Sequence, residues 1–214
     1  PQAIEVNPDG KIVWEWHAKK EYANSKYRNV RSGDADDWTH MNSVQRLDDG
    51  NTMLSVRNWN LIIAVDKNGR TVWETGADTV PAPGTFAKEP PQCPHTPVML
   101  DSGLIIVSES VRGAVIEWDR DQEKVVWQFP ENAGPGQKDR YFIRAAHRLP
   151  NDNTFVIDSR GQFLEVTRSG EILWHARLEN FVDAKPGERT EAPLPMLSPC
   201  FNADRRGLGY YGGR

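Results

Sequence analysis

One motif, repeated four times, restricts this chain more than any other property of its sequence. Ile4-Glu5-Val6-Asn7-Pro8-Asp9-Gly10-Lys11-Ile12-Val13-Trp14 sets two apolar runs on either side of a glycine turn and closes on tryptophan. The same arrangement returns at 63–73, 116–127 and 164–174. Short β-prone runs joined across turns of this kind read as antiparallel hairpins.

A second motif precedes the last three copies. It runs Thr39-His40-Met41-Asn42-Ser43-Val44 into an Asp48-Asp49-Gly50-Asn51 turn, and recurs as His95-Thr96-Pro97-Val98-Met99-Leu100 before Asp101-Ser102-Gly103. Its third copy is Ala146-His147-Arg148-Leu149 before Pro150-Asn151-Asp152-Asn153. Joined to the first motif, it gives a four-stranded antiparallel unit; in the copy around Gly50 the second, third and fourth strands are expected at 52–57, 61–65 and 71–73. The closing tryptophans follow one another at intervals of roughly fifty residues, which suits propeller blades and exceeds leucine-rich and helical repeats. A lone four-stranded blade leaves a face uncovered, so blades must stack.

The expected fold is therefore all-β, a β-propeller of four-stranded antiparallel blades, with about three and a half blades in view. Trp14, Trp73, Trp127 and Trp174 are expected between blades, where a ring burying about 150–250 Å² adds at most about 4–6 kcal/mol. Blades are expected over 1–180, and an irregular segment containing Pro186, Pro193, Pro195, Pro199 and several glycines over 181–214. Residues 3–6 read as a third strand with no first or second strand ahead of it. Those strands are expected from a preceding portion of the protein, from the other end of the chain, or from a partner. Connectors are expected at 17–37, at 130–140, and at 76–94, where Pro81, Pro83, Pro90, Pro91 and Pro94 argue for a surface loop.

With 38% hydrophobic and 26% charged residues, the chain has the composition of a globular protein rather than a disordered one. No run of eighteen apolar residues is present, so no helical membrane span is expected. A net charge of -4 argues against a nucleic-acid surface, which needs a clustered basic face. Small molecules or protein are the expected partners. Cys93 and Cys200 lie too far apart in sequence to supply a short zinc-ligand pair. They are either two unrelated thiols or a disulfide, which would contribute about 4–5 kcal/mol by loop closure.

Inner strands of propeller blades line a central channel, and His40, His95 and His147 are read as matching positions on three of them. Arg57, Glu109 and either Asp158 or Arg160 are read as matching positions one strand later. A lone histidine at a strand start is most often a packing residue, whereas three in register beside Arg57 point to a ligand-facing site. Three imidazoles could hold a metal, but no carboxylate pattern singles one out, and no metal or other cofactor is expected. His17 and His175 follow closing strands and are expected at the surface.

Asp37-Trp38-Thr39-His40-Met41-Asn42-Ser43-Val44 followed by Ser55-Val56-Arg57-Asn58 resembles the segment of bacterial arylsulfate sulfotransferases that supplies a substrate-binding histidine and arginine. Gln92-Cys93-Pro94-His95-Thr96 resembles the Gln-His-Thr segment bearing their transiently sulfurylated histidine, with Cys93 and Pro94 intervening. The resemblance spans roughly residues 36–175. It implies a six-bladed propeller, exported to the periplasm or outside the cell, that moves a sulfuryl group from an aryl sulfate to a phenol without a nucleotide donor. It also implies His95 as nucleophile with His40 and Arg57 on the sulfuryl oxygens. Asn42 and the channel positions His147, Glu109 and Arg160 are expected as substrate-binding residues. Neutral imidazole suits that chemistry, because a covalent sulfo-histidine divides one transfer into two easier steps.

Two other readings stand beside this one. Residues 64–73 resemble the tryptophan-docking repeat of pyrroloquinoline-quinone dehydrogenases, a structural repeat, but no calcium-ligand set or vicinal cysteine pair accompanies it. A non-catalytic propeller serving as an interaction platform or as a subunit of a larger assembly would carry the same repeats.

Overall fold

The computed structural model describes residues 2–25, 27, 38–76, 91–109, 112–131, 133, 143–159 and 161–178, all within one compact unit. Its sheets are β1 (Gln2–Val6) with β2 (Ile12–His17), then β3 (Met41–Arg46) to β6 (Thr71–Gly76), β7 (Pro94–Met99) to β10 (Lys124–Phe129), and β11 (Ile143–Arg148) to β14 (Ile172–Arg177). In the order of the chain the intermediate strands are β4 (Thr52–Val56), β5 (Leu61–Val65), β8 (Ile105–Glu109), β9 (Ala114–Asp119), β12 (Thr154–Asp158) and β13 (Gln162–Val166). Each four-stranded sheet pairs only sequence neighbours, all antiparallel, which is the blade meander that the repeats imply. The chain is a β-propeller, and its described residues form three four-stranded blades and a two-stranded sheet ahead of them in sequence.

Turn chemistry sets the blade limits. Asp66 Oδ1 accepts from the backbone N–H of Asn68 (2.8 Å) and Arg70 (2.9 Å), and Gly69 at φ +79° completes the reversal between β5 and β6. Asp49 and Gly50 do the same work between β3 and β4, where Asp49 Oδ1 accepts from the N–H of Asn51.

Blade stacking follows from side-chain alternation. Every residue of β4, β5 and β8 is buried, so both sheet faces are covered. Leu61, Ile63 and Val65 enter an apolar cluster with Ala3 and Trp16 of the first sheet, while Ile62 and Ala64 enter another with Ile105, Val107 and Ile116 of the third. Ile106 and Val115 turn the other way, toward Ile143, Val156 and Leu164 of the last sheet. A period of two on a doubly covered strand thus assigns alternate residues to alternate interfaces.

Several expectations change. The closing tryptophans are not deep spacers: Trp14, Trp73 and Trp127 are half-buried and Trp174 is exposed. Each of the first three lies instead under a guanidinium from the next blade: Arg46 at 5.6 Å from Trp14, Arg120 at 4.8 Å from Trp73 and Arg148 at 4.9 Å from Trp127. The fully buried tryptophans are Trp16 and Trp59. The fourth strand of the first complete blade extends to Gly76, and its second ends at Val56, because Arg57–Trp59 turn into a short 3-10 helix. One helical turn, Ala18–Glu21, follows β2 in a stretch expected to be a connector. Pro91 to Pro94, assigned to a surface loop, are buried, and Pro94 opens β7. His175 is exposed as expected, whereas His17 lies half-buried within β2. The remainder of the 76–94 and 130–140 connectors, the segment 181–214, Arg160 and Cys200 with its proposed disulfide lie mostly or wholly outside the described residues.

Candidate functional site

The register puts Asn42, His95 and Arg144 in matching places. The first rungs of the three inner strands are Met41 with Val56, Pro94 with Glu109, and Ile143 with Asp158, and each of the three residues comes directly after its rung. All three strands then bulge: the pairing skips Asn42 in β3 and Arg144 in β11, and passes from His95 to Val98 in β7. A bulge re-aims side chains. Pro97, which has no N–H to give a ladder, falls inside the third of them.

This register corrects the expected alignment of histidines. Leu47, Leu100 and Leu149 hold the same place in their turns, each donating its N–H to the carbonyl four residues on. His40, His95 and His147 stand seven, five and two residues ahead of them, so they are not equivalent. His147 is buried and paired with Phe155 near the turn end of β11, and burial alone lowers its pKa. Glu109 and Asp158 match Val56, not Arg57.

His40 and Arg57 come together through an aromatic cluster. Trp59 is fully buried, stacks on Tyr27 at 4.9 Å between ring centroids, and meets Trp38 edge-on at 4.8 Å and Tyr22 at 4.9 Å. Trp38 Nε1 donates to the Tyr27 carbonyl, and the Asn58 N–H donates to the Thr39 carbonyl at 3.1 Å. The segment carrying His40, held at φ +46°, is thereby tied to the one carrying Arg57, whose Nη1 donates to Asn58 Oδ1. Only the Trp38 end of this cluster lay within a motif read from the sequence.

The strand start that carries His95 is anchored from both sides. Asn60 Oδ1 accepts the Cys93 N–H (2.8 Å), while Ser55 Oγ (2.8 Å) and Asn42 Nδ2 (3.2 Å) donate to the Pro94 carbonyl. From its own sheet, Glu109 Oε1 accepts the Gln92 N–H at 2.6 Å. Glu109 is fully buried, and its other oxygen meets Arg112 at 2.8 Å. Burial pushes its carboxyl up to about 7 against the opposing pull of Arg112. It supports the His95 segment from beneath. Asn42 likewise spends its amide N–H on this segment.

His95 itself is half-buried, and its Nε2 lies 3.1 Å from Arg144 Nη1. A guanidinium can only donate, so Nε2 accepts and the imidazole proton resides on Nδ1. Burial, then the charges of Arg144, Arg57 and His40, push His95 down to about 3. The centre is a neutral imidazole whose Nε2 faces Arg144 of the following blade, with Arg57 and His40 of the preceding blade bearing on it. Cys93, two residues ahead of His95, is buried, and burial raises its thiol pKa. Arg144 escaped the sequence reading because no turn or repeat marks it, although counting back from Leu149 as from Leu100 would have paired it with His95.

The arylsulfotransferase (ASST) family model matches residues 2–88, a stretch that includes His40, Asn42 and Arg57 and stops short of His95. No curated protein sequence matches the chain. Among solved structures, the chain is similar to a protein of unknown function from Bacteroides caccae, at 16% identity and TM-score 0.47, over 83% of this chain and 54% of that one. It is also similar to virginiamycin B lyase from Staphylococcus aureus, at 12% identity and TM-score 0.48, over 81% and 47%. A third similar structure is BamB from Moraxella catarrhalis, at 16% identity and TM-score 0.38, over 78% and 40%. The chain thus spans about half the length of the structures it matches, or less. Among the described residues no helix is long and apolar enough to cross a membrane.

Proposed function

We propose, from a chain whose residues 2–88 match the arylsulfotransferase family, that this propeller transfers a sulfuryl group from an aryl sulfate to a phenol through a sulfo-histidine at His95. The observation that carries the reading is the placement of that side chain: its Nε2 lies 3.1 Å from Arg144 Nη1, and burial with the charges of Arg144, Arg57 and His40 favours the neutral form. Attack by Nε2 on sulfur forms the N–S bond as the S–O bond to the aryl group breaks, and the phenolate departs with the bonding pair. In the second half-reaction an acceptor phenolate takes the sulfuryl group and the pair returns to Nε2. Arg57 and His40 hold the sulfuryl oxygens, whose charge must be held as the bond to the leaving oxygen lengthens. Such chemistry suits an exported protein, since the donor is an aryl sulfate and no nucleotide is consumed.

Intact-mass measurement after brief exposure to 4-nitrophenyl sulfate tests this. A sulfuryl adduct is expected on the parent protein and none on His95→Ala. A folded protein that gains no mass and releases no nitrophenol would leave the non-catalytic platform as the better reading.

A further inference from the structure

Arg144 enters the centre from a blade that neither quoted family motif touches. It is the residue that the β11 bulge leaves out of the ladder, and its carbonyl accepts from Thr96 Oγ1 at 2.9 Å, which ties the fourth sheet to the residue following His95. Arg144 is exposed, and its guanidinium reaches the one imidazole nitrogen that can act as nucleophile.

We propose that Arg144 is a catalytic residue of this centre, whose guanidinium holds the sulfuryl group as it moves onto and off His95 Nε2. The assignment rests on the sulfo-histidine reading. Before reaction one N–H of the fork points at the Nε2 lone pair and fixes the proton on Nδ1. When the N–S bond forms, that lone pair is consumed, and the same donors lie next to the three sulfuryl oxygens. The planar fork then offers two parallel N–H groups to two of those oxygens, a geometry a lysine cannot reproduce. The other groups whose charges bear on His95 are Arg57, after β4, and His40, ahead of β3, so the anion is approached from the blade before His95 and from the blade after it.

Arg144→Ala and Arg144→Lys test the assignment, because an exposed side chain can be removed without opening the core. The rate of adduct formation with 4-nitrophenyl sulfate is expected to fall about 100-fold in Arg144→Ala, the usual loss for one oxyanion donor, and to recover about tenfold in Arg144→Lys. The His95 imidazole, followed by NMR, is expected to titrate closer to the ordinary histidine value in Arg144→Ala than in the parent, and to move less in Arg144→Lys, which keeps the charge; a loss of packing alone would move both variants alike. An adduct rate in Arg144→Ala within about threefold of the parent, or an unmoved His95 titration, overturns the proposal. If the parent forms no adduct, the transferase reading fails and inorganic sulfate decides the remainder. A sulfate-induced shift of the His95 signals that is lost in Arg144→Ala supports an anion-holding Arg144, and an equal shift in both proteins overturns it.

Discussion

At the scale of the residue, His95 is governed by two effects acting in one direction. Burial removes water from the charged form, and the cations around it disfavour a further positive charge. Its native pKa, about 3, lies below the ordinary 6.5. Between those values the unfolded chain binds a proton that the native chain refuses, so folding stability falls as pH drops from 6.5 toward 3. One such histidine contributes a slope of at most about 1.4 kcal/mol per pH unit. Urea unfolding midpoints measured between pH 4 and 7 should therefore fall more steeply in the parent than in His95→Ala, and parallel curves would contradict this account. Adduct formation should likewise lack an acid limb near pH 6.5. The sequence marked His40, Arg57 and His95 by their motifs, but not the neutrality of His95, which comes from groups far away along the chain.

At the scale of the element, the junction between blades is built to one plan with two chemistries. Arg148, the last residue of β11, meets Glu117 of the preceding blade at 2.5 Å and lies over Trp127. Arg168 adds a second contact to the same carboxylate at 2.6 Å. Arg46, Glu5 and Trp14 repeat the arrangement two junctions earlier in the chain. At the junction between these two, the same places hold Met99, Ala64 and Trp73, packed as part of an apolar cluster. Arg148→Ala leaves Glu117, which is nearly fully buried, with only the half-exposed Arg168, and should cost about 3 kcal/mol. The pair Arg148→Met with Glu117→Ala, which copies the apolar junction, should recover most of that loss. Denaturant titration of the two singles and the double gives the coupling, and additive losses would show that the plan is not interchangeable. The repeat made this comparison legible in the sequence. What stayed hidden was the depth of the tryptophans, because an arginine donated by the next blade covers a ring that hydrophobicity alone would have buried.

At the scale of the whole molecule, stability should be distributed blade by blade, since each sheet packs on its neighbours through separate apolar clusters. β5 and β8 are buried at every position, whereas β14 is exposed at all but one, with Trp174 at 48% exposure. Native-state amide exchange should therefore release β14 well before β5 or β8. Uniform protection across the three strands would refute a graded, nearest-neighbour molecule.

The sequence by itself determined the strands, their turns and their stacking, because those depend on local rules: glycine and aspartate at reversals, a period of two along each strand, and a repeat long enough for four strands. The tertiary structure decided which side chains meet. Bulges in β3, β7 and β11 re-aim the residues beside them, and the packing of one blade on the next brings Arg144 to His95. An aromatic cluster around Trp59 then holds His40 and Arg57 in position. Repeat spacing gives the equivalence of Arg144 with His95, but their contact is a matter of where one strand lies against another.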